Sequence, residues 1–444
     1  MPVALRTRFA PLGEYADKEN VKILLVQSYL GGNEPLVYPI GLACLVSALA
    51  DHTVSVFDMN TSTRPVDELR DIIAGYKPDI IGISLRNIDS TNKRTVVFYY
   101  RYLKQTVDAI RSRSDAKIII GGSGFSMFAR EIMEDDQRVD FGISREGEHA
   151  FPLLLKNLDS PEKAPSVYYR KNGSIASTAP GLQVDLNAVP LPDRKAIPLG
   201  PYQAVPEAMG IETKRGCALG CVYCIYGFLN GKNLRLREPS RIVDEIELLV
   251  KEHGLRRFTF VDSVFNIPQN HAEMICREII RRGLQTTWSA WFNEKGITRE
   301  FIELVRDAGC RNVILSPDGF SNATLKALGK NISLADIHAS YAVMKDLDGF
   351  EVSYNFFKNP PGQDVRTFLA LLRFSAKAKK EMGKRVHFEF NSMRIEPNTK
   401  LYDIARSEGV VTAGENLLYP KYYTQGRTRY LETLFNLLLR LKGK

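Results

Sequence analysis

Short apolar runs alternate with amphipathic segments through the first third of the chain. Val21–Val26 and Ile80–Ser84 are runs of mostly branched apolar residues, which is typical of parallel strands buried on both faces. Segments with helical periodicity separate the runs, as over Lys93–Arg113. The pattern predicts five strands: Val21–Val26, Thr53–Phe57, Ile80–Ser84, Lys117–Ile120 and Asp140–Ile143. This order predicts a doubly wound parallel sheet that binds ligands beyond the carboxyl ends of its strands.

A proline-rich stretch over residues 159–208 interrupts the alternation and predicts an interdomain linker with one short hairpin. The alternation restarts at Met209 and gives six strand–helix units, too few for a closed eight-stranded barrel. Leu431–Leu441 predicts an amphipathic helix that docks on the core. We therefore expect an α/β chain in four parts: 1–158, the linker 159–208, 209–410 and a helical tail 411–444.

Composition and charge disfavour several classes of protein. No run in the 444 residues approaches the roughly eighteen apolar residues of a membrane span. The net charge of +9 arises from basic residues interspersed with acidic ones, without the basic block typical of nucleic-acid binding. The first residues, Met1–Arg8, lack the apolar core of a secretory signal, so we expect a cytoplasmic protein.

Three of the six cysteines, Cys217, Cys221 and Cys224, fall within a single short segment. Thiolates are soft ligands, and three on one loop indicate a transition metal or an iron–sulfur cluster. A structural zinc site normally takes four protein ligands, so zinc would need a distant fourth ligand here. Three buried structural thiols are a further alternative. The other cysteines are single in the sequence: Cys44, Cys276 and Cys310.

The C-x3-C-x2-C spacing, the preceding Glu212–Gly216 and the aromatic Tyr223 resemble the radical S-adenosylmethionine (radical SAM) superfamily. The resemblance implies a partial (β/α)6 barrel and a [4Fe-4S] cluster on the three cysteines, with one open iron that binds SAM. Ser316 matches the family's fourth-strand Gly-x-Glu-Ser position, although the glutamate is absent and Asp318 is offset. The resemblance gives these candidate SAM-binding residues: Tyr223, Ser316, Asn355 and Arg394.

Several segments of the first domain resemble the cobalamin-binding domains of one large subgroup of these enzymes. They are Tyr38–Leu42, Pro78–Ser84, Ile118–Gly122 and Arg145–Glu148. The resemblance implies a flavodoxin- or Rossmann-like domain that binds cobalamin through the loops after its third and fourth strands. The candidate cobalamin-binding residues are Ser84, Leu85, Arg86, Gly121, Gly122 and Ser123. A flavodoxin-like domain that has lost its cofactor is the alternative.

The loop after the first strand departs from that of cobalamin mutases and methionine synthase. Those proteins carry D-x-H-x-x-G, whose histidine binds cobalt, whereas this chain has Gln27–Gly32 without a histidine. We expect cobalamin to bind with no histidine on its lower face. Arg86 lies in a loop that could approach that face, and a guanidinium is not a metal ligand. A surface salt bridge is the alternative role for Arg86.

The resemblance as a whole implies a cobalamin-dependent radical SAM methyltransferase. SAM cleavage would give a deoxyadenosyl radical that takes hydrogen from an unactivated carbon, and methylcobalamin would supply the methyl group. The implied partners are a small-molecule or peptide substrate and an electron donor such as flavodoxin or ferredoxin. The alternatives are a radical SAM cyclase or rearrangement enzyme that transfers no methyl group, and a non-catalytic metal-binding scaffold.

Overall fold

The computed structural model describes residues 20–205 and 207–441. Residues 1–19, at the start of the first predicted domain, and 442–444, at the end of the predicted tail, lie outside the described residues. The chain divides into two compact units. One contains the residues up to Ser90 and Val97–Pro201, and the other contains Thr91–Val96 and the residues from Tyr202 onward. The short segment Thr91–Val96 therefore belongs with the second unit.

One seven-stranded sheet forms the centre of the first unit. Its strands are β1 (Lys22–Gln27), β2 (Thr53–Asp58), β3 (Ile80–Ser84), β4 (Lys117–Gly121), β5 (Phe141–Ile143), β6 (Val167–Lys171) and β7 (Ser174–Ser177). They lie in the order β2-β1-β3-β4-β5-β6-β7, with β1–β5 parallel and the β6–β7 hairpin antiparallel. The strand order reverses between β1 and β3, so their carboxyl ends form the switch point where such sheets bind ligands. The hairpin lies within the stretch predicted as a linker.

Helices connect the strands of this unit: α1 (Ile40–Ala48), α2 (Pro65–Tyr76), α3 (Tyr99–Arg111), α4 (Ser123–Met127), α5 (Ala129–Asp135) and α6 (Gly147–Leu155). The helix predicted over Lys93–Arg113 begins later than expected. Thr91 has a φ of +52°, and the Ser90 N–H donates to the Val97 carbonyl, so the chain turns before α3. Single 3-10 turns occur at Met59–Thr61 and Pro161–Lys163.

The second unit contains an open sheet of six parallel strands. They are β8 (Gly210–Ile211), β11 (Arg257–Phe260), β12 (Thr287–Phe292), β13 (Cys310–Asp318), β14 (Glu351–Phe357) and β15 (Val386–Asn391). The order is β15-β14-β13-β12-β11-β8, and within the described residues the edge strands β8 and β15 do not pair with each other. Two short pairs complete the strands: β9 (Lys214–Arg215) with β10 (Arg235–Leu236), and β16 (Met393–Arg394) with β17 (Tyr422–Tyr423). The result is the predicted partial barrel.

The helices of the second half complete the strand–helix alternation. They are α7 (Gly200–Gln203), α8 (Tyr226–Leu229), α9 (Pro239–His253), α10 (Gln269–Arg281), α11 (Arg299–Asp307), α12 (Asn322–Ala327), α13 (Leu334–Lys345), α14 (Val365–Met382), α15 (Lys400–Ser407) and α16 (Arg429–Leu441), with 3-10 turns at Gly383–Arg385 and Gly426–Thr428. The Phe435 ring of α16 lies 4.5 Å from that of Phe390 on the edge strand β15. Over residues 20–205 and 207–441, no helix is long and apolar enough to cross a membrane.

Side chains alternate between two faces along the barrel strands. Phe260 and Trp288 belong to a buried aromatic face, and their ring centroids lie 4.9 Å apart. The opposite face is polar, because Thr259 and Ser289 share a hydrogen bond of 2.9 Å there. The polar face therefore carries the side chains that a bound molecule could contact inside the sheet.

Candidate active site

The cysteine loop, residues 216–225, follows β9 on the carboxyl side of the first barrel strand, β8. Gly216 has a φ of +93°, and a Cβ there would lie 2.0 Å from the carbonyl oxygen of Asn233. Only glycine fits such a position without displacing the facing chain. Further along the loop, the Val222 N–H donates to the Leu328 carbonyl at 3.0 Å. The loop is thus held by a close main-chain approach just before Cys217 and by a main-chain hydrogen bond between Cys221 and Cys224.

Cys217, Cys221 and Cys224 are free thiols with partly exposed side chains. Desolvation raises the pKa of Cys224 to about 12, and the charges of Cys221 and Cys217 act in the same direction. In the part of the chain that the structure describes, no three His, Cys, Asp or Glu side chains converge on one position for a metal ion. A four-iron cluster binds each cysteine at a different iron, and iron stabilises the thiolate form. Three neighbouring thiols that do not converge on a single metal position therefore fit a cluster better than one metal ion.

Lys330, Asp318 and Tyr223 form a buried polar cluster next to the cysteine loop. The Lys330 Nζ lies 2.5 Å from Asp318 Oδ2 and 3.2 Å from the Tyr223 hydroxyl, which also donates to the Asp318 carboxylate. Burial alone would lower the pKa of Lys330, but Asp318 and Cys221 raise it above its usual value. The ammonium therefore stays charged beside the cysteines. Lys330 could not be found from the sequence, because nothing near it in the chain connects it with the loop.

Ser316 and Asn355 lie on the neighbouring strands β13 and β14. The Asn355 Nδ2 donates to the Ser316 Oγ at 3.2 Å, and Lys330 donates to the Ser316 carbonyl at 2.5 Å. Lys330 therefore joins Tyr223, Ser316 and Asn355 in one hydrogen-bonded network. The structure brings three of the four candidate SAM-binding residues together, and their contact with SAM stays a prediction.

Arg394, the fourth candidate, has different contacts. It lies on the short strand β16, and the sixth barrel strand β15 ends before it at Asn391. Its guanidinium is buried, 2.6 Å from Glu396 Oε2, and it donates to the Leu417 carbonyl at 3.0 Å. Ser392 separates β15 from β16, and β16 pairs with β17 instead of with the barrel sheet. A contact between Arg394 and SAM stays a prediction.

Glu294 lies just after β12 and was not singled out by the sequence. Its side chain is buried, and its Oε1 atom has no hydrogen-bond partner. Burial raises the pKa of Glu294 to about 7, and the positive charge of Lys330 opposes that shift. A carboxylate two residues after a largely buried strand is the signal that could have found it.

The candidate cobalamin-binding residues come together at one edge of the first sheet. Ser84 and Gly121 are register partners at the ends of β3 and β4, and the Leu85 N–H donates to the Gly121 carbonyl at 2.9 Å. Gly122 has a φ of +96°, and a Cβ there would lie 2.6 Å from the Leu85 carbonyl oxygen. Gly122 is thus required for the approach of the two loops, and Ser123 begins α4.

Two further residues of this unit bear on whether the edge fits cobalamin. Ser28, directly after β1, is fully buried, and its Oγ has no hydrogen-bond partner. Arg86 is exposed, and its charge lowers the pKa of Tyr99, which burial and Glu34 raise. No histidine follows β1: His52 precedes β2, and His149 lies in the first turn of α6. An orphaned hydroxyl at the switch point fits a bound polar cofactor.

Comparisons with known proteins agree with this division of the chain. Residues 33–155 match the family model of the B12 binding domain, and residues 211–375 match that of the radical SAM superfamily. The chain is 23% identical over 376 residues to an uncharacterized methyltransferase, PH0819, of Pyrococcus horikoshii, covering 83% of this chain and 78% of that protein. It is 23% identical to the anaerobic magnesium-protoporphyrin IX monomethyl ester cyclase of Rubrivivax gelatinosus, covering 71% of this chain and 58% of that protein.

Among solved structures, the fold is similar to that of the radical SAM methyltransferase TsrM from Kitasatospora setae with cobalamin and a [4Fe-4S] cluster bound. The TM-score is 0.76 at 22% identity, covering 89% of this chain and 76% of TsrM. The chain belongs to the radical SAM enzymes that carry an N-terminal B12-binding domain, the family of the cobalamin-dependent radical SAM methyltransferases. The predicted fold class, the enzymatic nature and the predicted cofactors, a [4Fe-4S] cluster, SAM and cobalamin, are confirmed.

Proposed function

We propose that this chain methylates an unactivated carbon of a small-molecule or peptide substrate. The observation that carries the proposal is that one chain holds both a three-cysteine loop beside the first barrel strand and a B12-binding sheet with its switch-point loops. When bound, the cluster and SAM supply a radical that removes hydrogen, and cobalamin supplies the methyl group.

The contacts of the barrel residues support the roles that we propose for them. Cys217, Cys221 and Cys224 hold the cluster and leave one iron for SAM. Lys330 keeps a positive charge beside them and, through Asp318 and the Tyr223 hydroxyl, fixes the loop before SAM binds. A charge that is already in place requires little reorganisation of the site when the reaction begins. Ser316, Asn355 and Arg394 are the further SAM contacts of this proposal.

The first unit contributes the cobalamin contacts of the proposal: Ser84, Leu85, Arg86, Gly121, Gly122 and Ser123. We assign the domains as 1–158, a linker 159–208 whose β6–β7 hairpin pairs with β5 of the first sheet, 209–410 and a tail 411–444. The proposed partner is an electron donor such as flavodoxin or ferredoxin, which would reduce the cluster, and the proposed location is the cytoplasm. A reducing compartment suits the free thiols that the cluster requires.

The test follows the methyl group. The enzyme, loaded with cluster and cobalamin, is incubated anaerobically with SAM labelled in its methyl group, a reductant and a small-molecule and peptide extract of the native host. Label should reach a carbon of one extract component, with two SAM molecules consumed per turnover. The variant with all three cysteines replaced by alanine is the matched control. The contrary outcome is that deoxyadenosine accumulates in proportion to product while the label stays in SAM and cobalamin and none reaches the product. The cyclase or rearrangement alternative then replaces the proposal.

A further inference from the structure

The second unit contains a cavity of about 500 Å³ beyond the carboxyl ends of β14 and β15. Lys358 directly follows β14, and Ser392 directly follows β15. The residues that line the cavity include Lys93, Arg94, Lys358, Arg429, Glu432 and Asn436. We propose that this cavity binds an anionic group, a carboxylate or a phosphate, of the substrate that accepts the methyl group. The inference rests on the proposed function and specifies the substrate class.

The lining of the cavity is predominantly cationic. Four cationic side chains line the cavity together with one carboxylate, that of Glu432. That carboxylate is already engaged, because the Lys93 Nζ donates to both of its oxygens, at 2.8 and 3.0 Å. The cavity therefore keeps an excess of positive charge. This charge attracts an anion, and a bound anion reduces the repulsion among the cationic side chains.

Lys358 provides the second and independent argument. Lys358 is only 6% exposed. Within residues 20–205 and 207–441, its ammonium makes no hydrogen bond and no ion pair. Burial lowers the pKa of Lys358, Arg94 and Lys93 lower it further, and Glu432 opposes them. A buried ammonium without a partner is costly, and a bound anion removes that cost.

Asn436, on α16, also lines the cavity with an unsatisfied group. Its Oδ1 atom is buried and has no hydrogen-bond partner. The two ends of an amide side chain are assigned from their hydrogen bonds, so rotation of this amide would present its NH₂ group to an anion. An ammonium and an amide that both lack partners in one cavity indicate a polar ligand group between them.

The position and size of the cavity favour a substrate over a small free ion. The cavity lies at the carboxyl ends of barrel strands, the side on which the cysteine loop follows β8 and where barrel enzymes keep their chemistry. Its volume is typical of a site for an organic ligand and far exceeds that of one anionic group. None of the candidate SAM-binding residues Tyr223, Ser316 and Asn355 lines it. The anionic group thus anchors a larger molecule.

The experiment measures binding of inorganic phosphate by calorimetry, at constant ionic strength set with sodium chloride, to the full chain loaded with cluster and cobalamin. We expect saturable binding that Lys358→Met weakens at least about tenfold, since a hydrogen bond to a charged group contributes that much. Arg429→Gln should also weaken it, and its exposed side chain makes this variant safe if Lys358→Met does not fold. Lys377→Met, at a 64% exposed lysine of α14, is the matched control and should bind phosphate normally.

Three results would overturn the inference. The first is an absence of saturable phosphate binding by the loaded wild type. The second is phosphate binding that appears only without cobalamin, because cobalamin then occupies the cavity. Phosphate binding that SAM abolishes, together with a lower SAM affinity in Lys358→Met, would assign the cavity to SAM in the same way. The third is a loss of phosphate binding in Lys377→Met that equals the loss in Lys358→Met. No turnover is needed, so a failure here leaves the methyl-label test of the reaction unaffected.

Discussion

The ammonium of Lys214 lies 3.1 Å from the carboxylate of Asp262, and neither side chain is more than 2% exposed. Asp262, just after β11, also accepts from the main-chain N–H of Thr213 at 2.9 Å. Lys214 donates in addition to the Phe265 carbonyl at 2.9 Å. One carboxylate thus fixes the chain immediately before the cysteine loop. We infer that this pair positions the loop and does not take part in the chemistry.

The variant Asp262→Asn should therefore lose both stability and cluster. It leaves the buried Lys214 ammonium without its counter-charge, and breaking a buried pair in this way costs about 3–5 kcal/mol. Chemical denaturation should show that loss in the free energy of unfolding, and iron analysis should show a reduced cluster content. Asp403→Asn, at a 67% exposed carboxylate of α15, is the control and should change neither quantity. Equal stability and iron content in Asp262→Asn and wild type would contradict the positioning role.

Replacement of Cys217, Cys221 and Cys224 by alanine should abolish the broad visible absorbance of the reconstituted protein and all cleavage of SAM. The physical reason is that these three thiols are the only candidate ligands on the loop. Cys44→Ala, at a buried cysteine of α1, should keep the absorbance and the iron content. A triple variant with the iron content of the wild type would show that the cluster binds elsewhere.

The strands and the cysteine loop could be predicted from the sequence because their signals are local. Ile80–Ser84 was predicted with the bounds that the structure has, since apolar runs between turn residues mark strands directly. The loop's position after the first barrel strand follows from the same alternation. The start of α3 could not be predicted, because one turn at Thr91 with positive φ interrupts a continuing helical pattern.

The groups around the loop depend on tertiary structure and escaped the sequence. Tyr223 and Lys330 are 107 residues apart, yet the hydroxyl of the first and the ammonium of the second lie 3.2 Å apart. Nothing local distinguishes Lys330 from the chain's other lysines. The sequence also does not show why position 122 must be glycine. The space that a Cβ would need there is filled by the backbone of Leu85, which belongs to another loop.

Glu294 should make the stability of the protein depend on pH. Burial raises its pKa to about 7 in the folded protein, from the ordinary value of 4.5 that it has in the unfolded chain. Below pH 4.5 the group is protonated in both states, and between these values only the unfolded chain releases the proton. The folded state therefore loses stability as pH rises from 4.5 through 7, by about 3 kcal/mol in total.

The variant Glu294→Gln isolates this effect, because an amide does not titrate. The unfolding free energy of the variant minus that of the wild type should grow by about 3 kcal/mol between pH 4 and pH 8. Denaturation curves at several pH values measure the difference. Glu303→Gln, at a 38% exposed carboxylate of α11, should show no comparable change. A difference independent of pH would mean that the buried Glu294 carboxyl does not titrate near 7.

The cobalt of the bound cofactor should have no histidine ligand. Ser28 and Tyr29 occupy the positions directly after β1, His52 lies before β2, and His149 is an exposed residue of α6. The paramagnetic resonance spectrum of the cob(II)alamin form should therefore lack the superhyperfine splitting of an axial nitrogen. Arg86→Ala should leave that pattern unchanged, since a guanidinium is not a ligand. A nitrogen triplet in the wild type that disappears in His149→Ala would contradict the prediction and identify His149 as the ligand.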